Sequence, residues 1–376
     1  EPIMSILEEK NGLLARIKAS VEALLPITQY NKRCDTFNMT DDIRQKVLQV
    51  LVTFSDEIPH PAQVSTDASN LESVNKQNNE DQNKNTESST LLRWQVLAYI
   101  SGIDLTLAKW FESHLDALSI LYELGHGETQ QGLWAVWAAE GHPNPIRYQD
   151  GKISGSKSWC SGAHIVDYAL MTYRDEQGKS QLLTVDMNQS GIDIDNSAWQ
   201  AVGMQATDTA TVTFDHVAAT QVGTPNAYLD RVGFWHGAAG VAACWYGATA
   251  SLAAYLIESY QQKPNDYKAM YLGQISSDLA VSRQYLHQVA YLIDSQPEDN
   301  HELAIRQLRT NIEQLARQVI ETVGQALGAA PFCGNAHFAT LSADLTVFIR
   351  QSHGAFDLQR IGELTSFQAE GNIWQL

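Results

Sequence analysis

The residues whose types and spacing could do chemistry gather in two places. The first is Gly151–Gly162, GKISGSKSWCSG, followed some forty residues later by Met204–Val217, MQATDTATVTFDHV. The Trp159 indole offers a flat apolar wall, and the Ser161 hydroxyl two positions on is short enough to donate to a ring nitrogen or oxygen. A lone strand tryptophan is more often simply a buried core aromatic. The second place is Ser352-His353-Gly354 with Asp357 and Glu363 beyond it. His353 and Asp357 are spaced i, i+4, which on one helical face would suit an oriented imidazole acting as base or donor, or a surface His–Asp pair of little consequence. The four cysteines, Cys34, Cys160, Cys244 and Cys333, form no C-x-x-C spacing. They indicate neither a metal site nor a disulfide framework, and the expected compartment is a reducing cytoplasm.

These residues must be positioned by elements legible in the pattern. Helical spacing over residues 1–58 puts Ile6, Leu13, Leu14, Ile17, Val21, Leu24 and Leu25 on one face. Residues 59–90 are polar and almost without aromatics, which reads as an inserted surface loop or disordered linker. Helices are expected over 91–101 and 105–124, ending at Gly125-His126-Gly127. Short β-rich runs, KISGSKSW, YALMTYR, QLLTVDM and ATVTFDHV, occupy 148–217, with turn chemistry at Asp150-Gly151 and Asn188 to Gly191. Trp134 and Trp137, spaced i, i+3, read as core or pocket wall. Helices return over 234–260, 267–293, 301–327 and 344–364. The first of these is dense in small residues, which lets helices approach closely. The fold class is therefore α+β: an N-terminal helical domain (1–131, with the polar insert at about 59–90), a middle antiparallel β-domain (132–224) and a C-terminal four-helix bundle (225–376).

The formal charge of −18 argues against nucleic acid or an anionic membrane surface as partner. No signal-like segment opens the chain and no run of about twenty apolar residues occurs; residues 238–257 come closest but read as a packed core helix.

The two β-motifs resemble those of the acyl-CoA dehydrogenase flavoprotein superfamily. Its G-x-K-x-W-x-[ST] run is similar to Gly155-Ser156-Lys157-Ser158-Trp159-Cys160-Ser161, and its G-x-x-x-[ST]-x-[DT] run to Gly203-Met204-Gln205-Ala206-Thr207-Asp208-Thr209, closing with Phe214 and Val217. The resemblance implies that Trp159 packs against a flavin ring and that Ser161 hydrogen-bonds the ring's reactive edge. Gln325-Ala326-Leu327-Gly328-Ala329 resembles the family's Q-x-x-G-G segment, which implies that Gln325, Gly328 and Ala329 reach the adenosine half of a neighbour's FAD, and hence a homodimer or homotetramer. Ala329 departs from the second glycine.

Other departures bear on cofactor and chemistry. The family's T-E-P-x-x-G-S-D loop is replaced by Trp137 to Pro145, with Glu140 at the family Glu, no G-S-D, and prolines that donate nothing to a phosphate. The Arg of R-x-x-F-G is missing near Tyr260 to Pro264. FMN or an empty site therefore stays open beside FAD. Aligning the family's Arg-Asp pair on Asp344 puts Ser352 where the catalytic Glu should be, and the alternative base position near Arg231–His236 offers only Asp230. Three readings follow: an acyl-thioester dehydrogenase with a displaced base, acting on an acyl thioester or related small substrate; a flavin monooxygenase of the same fold, using Ser352 and His353; and a non-catalytic descendant.

Overall fold

The computed structural model describes residues 12–25, 38–63, 88–128, 130–368 and 373–376. Cys34 and most of the polar segment expected over 59–90 lie outside these residues.

Among the described residues, four helices come first. In α1 (Leu13–Glu22) Ile17 and Val21 are the buried stripe, and in α2 (Asp41–Val52) it is Val47, Leu48 and Leu51. The α2 N-terminus is capped by Thr40, whose hydroxyl accepts from Ile43 N at 3.3 Å, with Asp41 and Asp42 in the first turn. Asp104 serves both sides of the junction between α3 (Ser89–Ile103) and α4 (Leu105–Glu123). Its carboxylate caps α4 through Leu107 N at 2.8 Å and takes a buried guanidinium from Arg44 at 3.1 Å. Removing one partner would strand a charge, so this pair fixes α2 against the α3–α4 corner.

The middle segment forms two four-stranded sheets. One has the order β1 (Trp134–Trp137), β4 (Tyr168–Arg174), β5 (Ser180–Asp186), β8 (Thr220–Val222). The other has β2 (Arg147–Gln149), β3 (Lys152–Cys160), β7 (Ala210–Ala218), β6 (Ile192–Asp195). Every pairing is antiparallel except β1 with β4, which is parallel and begins before the expected β segment. Parallel pairing is possible because residues between the two strands cross to the other sheet and return. Ile153, Val212, Phe214 and Val217 meet Met171, Leu183 and Val185 between the sheets.

β1 lies at a sheet edge, and α4 covers it. Trp134 N donates to His114 Nδ1 at 3.0 Å and Val136 N to Ser113 Oγ at 2.9 Å. Edge amides that would otherwise invite another strand are thereby satisfied from a helix. The same docking sets which α4 side chains face the space beyond.

A short helix, α5 (Ala227–Asp230), precedes α6 (Gly233–Gln262), α7 (Asp266–Ser295), α8 (Glu302–Leu327), α9 (Ala330–Gly334), α10 (Ala336–Phe348) and α11 (Ala355–Phe367). By length and composition α6 is apolar enough to cross a membrane, yet it is packed inside the molecule. A Cβ at Gly247 would overlap the Ala98 carbonyl of α3, so small residues set that helix spacing. Buried apolar residues of α1–α4, α6–α8 and α10 form one continuous core. The single helix expected over 344–364 is instead two, broken at 349–354 where Gly354 has φ +51°.

Candidate functional site

Between the sheets, α4 and the bundle lies a cavity of about 960 Å³, a volume suited to a cofactor-sized ligand. Trp159 and Ser161 line it. Along β3, Lys157 is buried, and strict alternation would bury Trp159 on the same face. A register shift between Lys157 and Cys160 intervenes. Trp159 takes φ +63°, an unusual conformation for a bulky residue, and its side chain turns outward, leaving the residue 65% exposed. Trp199 meets it edge-on, with centroids 6.2 Å apart. Trp159 is thus a wall of the cavity and not a core aromatic.

Ser161 heads a chain of hydroxyls. Its Oγ lies 2.8 Å from Thr209 Oγ1, which lies 2.9 Å from Thr207 Oγ1, and Thr207 donates to Met204 O at 2.8 Å. The turn carrying these threonines is seated on α10. Met204 N donates to Asp344 Oδ1 at 2.6 Å, and a Cβ at Gly203 would overlap the Ala343 carbonyl. Burial pushes the Asp344 carboxyl up to about 6, opposed by the Met204 amide. Asp344 therefore positions the second β-motif.

Behind the wall, Lys157 is held by Glu140 at 2.9 Å and by the Thr172 carbonyl at 2.5 Å, and burial lowers its pKa despite the carboxylate. Glu140 and Lys157 form an internal tie. Burial also raises the Cys160 thiol to about 12, so it is no nucleophile at neutral pH.

On the opposite side α4 supplies Lys109, Glu112 and Asp116 to the lining. Glu112 is 7% exposed, and its Oε2 lies 3.8 Å from Lys109 Nζ. Among the described residues no hydrogen bond reaches its carboxyl group. Burial pushes that group up to about 7, with Asp116 raising it further and Lys109, Arg93 and Arg309 opposing. Arg231, Arg309 and Arg350 also line the cavity. Arg231 pairs with Glu123 at 3.0 Å but leaves its Nε buried without a partner. Arg309 donates to the carbonyls of Ala238 (2.7 Å) and Gln351 (3.3 Å) and lies 4.8 Å over Trp245. Burial lowers it to about 10, and among the described residues no carboxylate lies within ion-pair distance of it. In a chain of charge −18 the cavity is lined by four cations against two acids, Glu112 and Asp116, which favours an anionic ligand.

The C-terminal candidates come together differently from their spacing. His353 precedes α11, so His353 and Asp357 do not share a helical face. Asp357 is buried, ion-paired with Arg306, and accepts from His353 N at 2.9 Å and weakly from the Ser352 hydroxyl at 3.4 Å. It satisfies the N-terminal turn of α11, and no bond joins it to the His353 imidazole. His353 lines the cavity; Ser352 and Asp357 do not. Glu363 sits on α11 paired with Arg360 at 3.2 Å, and Asp230 is exposed on α5. Gln325, Gly328 and Ala329 end α8 at the surface, away from the residues lining this chain's cavity, and Gln325 bonds Glu321 at 3.0 Å. Sequence reasoning missed Glu112, Asp116, Arg231 and Arg309. On α4 the only signal was the i, i+3, i+4 and i+7 spacing of four polar residues, Lys109, Glu112, Ser113 and Asp116, along one face of the helix.

No family model and no curated protein matches the sequence. Solved structures do. TdsC from Paenibacillus sp. A11-2, in complex with FMN and indole, is 16% identical with a TM-score of 0.68, covering 92% of this chain and 96% of that one. KijD3, in complex with FMN and dTDP-3-amino-2,3,6-trideoxy-4-keto-3-methyl-D-glucose, is 14% identical with a TM-score of 0.69 and coverages of 95% and 93%. Butyryl-CoA dehydrogenase from Megasphaera elsdenii is 15% identical, TM-score 0.65, covering 88% and 99%.

Proposed function

We propose, from the premise that this chain has the acyl-CoA dehydrogenase fold, that it is a flavin-dependent oxidoreductase whose flavin lies against Trp159. The carrying observation is that indole. It is turned out of β3 by a bulge, held at a positive φ, and presented to a cavity of cofactor size. An exposed aromatic in a conformation costing on the order of 1 kcal/mol is accounted for when a planar ligand covers it. The other lining groups fit the same ligand. The Ser161 and Thr209 hydroxyls can donate to ring heteroatoms, while the Arg309 guanidinium has donors left for a phosphate. A bound flavin supplies the electron acceptor or carrier that these side chains lack. The chain's part is to hold the ring, to exclude water with Phe234, Val241 and Phe348, and to handle protons.

The placement of Ser352 favours oxygenation over acyl-thioester dehydrogenation. That hydroxyl turns toward Asp357, and the segment 349–354, where the resemblance puts the dehydrogenase base, holds no carboxylate; the carboxylates that line the cavity, Glu112 and Asp116, come from α4 instead. Two of the similar structures, TdsC and KijD3, hold FMN, so FMN stands beside FAD as the cofactor.

Titration with each flavin, followed by absorbance and fluorescence, tests the assignment. Trp159→Ala should weaken binding by about 1 to 3 kcal/mol, the usual loss for a large aromatic contact. Superimposable curves for parent and variant would remove the basis of the reading.

A further inference from the structure

We infer that Glu112 is the group that takes a proton from the substrate, and that the substrate is a weak acid whose conjugate base carries its charge on oxygen. This inference rests on the flavoprotein reading of the same cavity. Glu112 and Asp116 are the carboxylates that line it. Other acids around it are engaged: Asp344 by Met204 N, Asp357 by Arg306 and His353 N, Glu123 by Arg231 and Gly233 N, Glu140 by Lys157 and Thr172. Glu112 is the more buried of the two, and its carboxyl group has Lys109 within 4 Å but no hydrogen bond among the described residues.

The groups facing it explain why proton transfer is feasible. Lys109 and Asp116 share α4, Arg93 comes from α3, Tyr228 from α5, Cys244 from α6 and Arg309 from α8. Burial and Asp116 favour the neutral acid, whereas Lys109, Arg93 and Arg309 favour the carboxylate. The balance leaves the group near neutrality, where a general base is most effective. In the step, the substrate O–H bond breaks, its electron pair stays on the substrate oxygen, and the proton joins a Glu112 carboxylate oxygen. Charge moves from Glu112 to the substrate with no net change. The new oxyanion then lies among Lys109, Arg309 and Arg350, which outnumber the acids.

The test uses the full chain, with 3-nitrophenol as the acidic probe, since its phenolate is distinguished from the phenol by visible absorption. Flavin titration separates the two claims. A parent chain taking up neither FMN nor FAD overturns the flavoprotein reading and leaves the carboxyl of Glu112 still observable by infrared difference spectroscopy. In the parent, a protonated-carboxyl band should disappear as pH rises through about 7. Adding the probe above that pH should restore the band while the bound probe absorbs as phenolate. Glu112→Gln should lose the band and bind the probe as neutral phenol; Glu112→Asp should retain both signals, reduced several-fold. A titrating band that persists in Glu112→Gln, ionisation of the probe that survives that change, ionisation lost only in Asp116→Asn, or no binding of the probe to the parent would each overturn the inference.

Discussion

Glu112 is the residue at which site chemistry and stability conflict. Its carboxyl sits at about 7 in the folded chain against 4.5 when free, so the folded state binds the proton more tightly than the unfolded state does. The sign follows: stability is fully present below about pH 4.5 and is lost as pH rises through about 7. The cost above that pH is up to about 3 kcal/mol, since one pKa unit corresponds to about 1.4 kcal/mol. Glu112→Gln should therefore raise the melting temperature at about pH 8 by several degrees relative to the parent and change it little at about pH 5. Thermal melts across this range check it; a difference independent of pH would mean that the side chain is not buried as an acid. This is a site residue held at the expense of stability, a common arrangement where function needs a buried ionisable group.

At the scale of elements, the turn over 203–209 carries two of the three hydroxyls in the chain headed by Ser161, those of Thr207 and Thr209, and depends on α10 for its place. Gly203 allows the backbone to reach the Ala343 carbonyl, and Asp344 anchors Met204. Gly203→Ala puts a methyl group into that carbonyl, and α10 cannot yield without disturbing Leu345 and Phe348 in the core. The expected result is a loss of about 1 to 3 kcal/mol in denaturant unfolding. Flavin uptake should weaken as well, because Thr207 and Thr209 move with the turn. A variant as stable as the parent with unchanged flavin titration would show that the turn does not depend on this contact. The break between α10 and α11 is a second element-scale feature, since it converts Asp357 from a would-be partner of His353 into a helix N-terminal anchor held by Arg306.

For the whole molecule, the expectation of a dimer or tetramer now has a surface to go with it. On α7, Tyr267, Met270, Val281 and Tyr291 are exposed, an unusual amount of apolar surface for one helix facing water. We propose that a second copy of this chain covers α7, bringing its Gln325–Ala329 segment toward the neighbour's cofactor. Sedimentation velocity should show an assembly of two or four chains, and Tyr267→Asp with Val281→Asp should produce monomers with reduced flavin occupancy. Full occupancy in a demonstrated monomer would exclude a shared site.

The sequence by itself determined much at the level of pattern. Periodicity and turn residues marked the α–β–α order, and the spacing of Trp159 and Ser161 singled out two residues that the fold brings to one cavity. These features are local: amphipathic stripes, glycine turns and short β-rich runs are set by neighbours in the chain. What tertiary structure alone decided was orientation and partnership. The bulge that turns Trp159 outward arises from how β3 pairs with β7, and period-two reasoning buries that indole. The i, i+4 spacing of His353 and Asp357 required a continuous helix, which Gly354 interrupts. Glu112 is one of four charged residues on α4, with Lys109, Asp116 and Glu123. It becomes a candidate base only because His114 and Ser113 on the same helix bind the edge strand β1, which turns Glu112 and Asp116 toward a cavity shared with Arg309, nearly two hundred residues away in the chain. Burial and long-range charge set the chemistry of such a group, and neither is a property of the sequence around it.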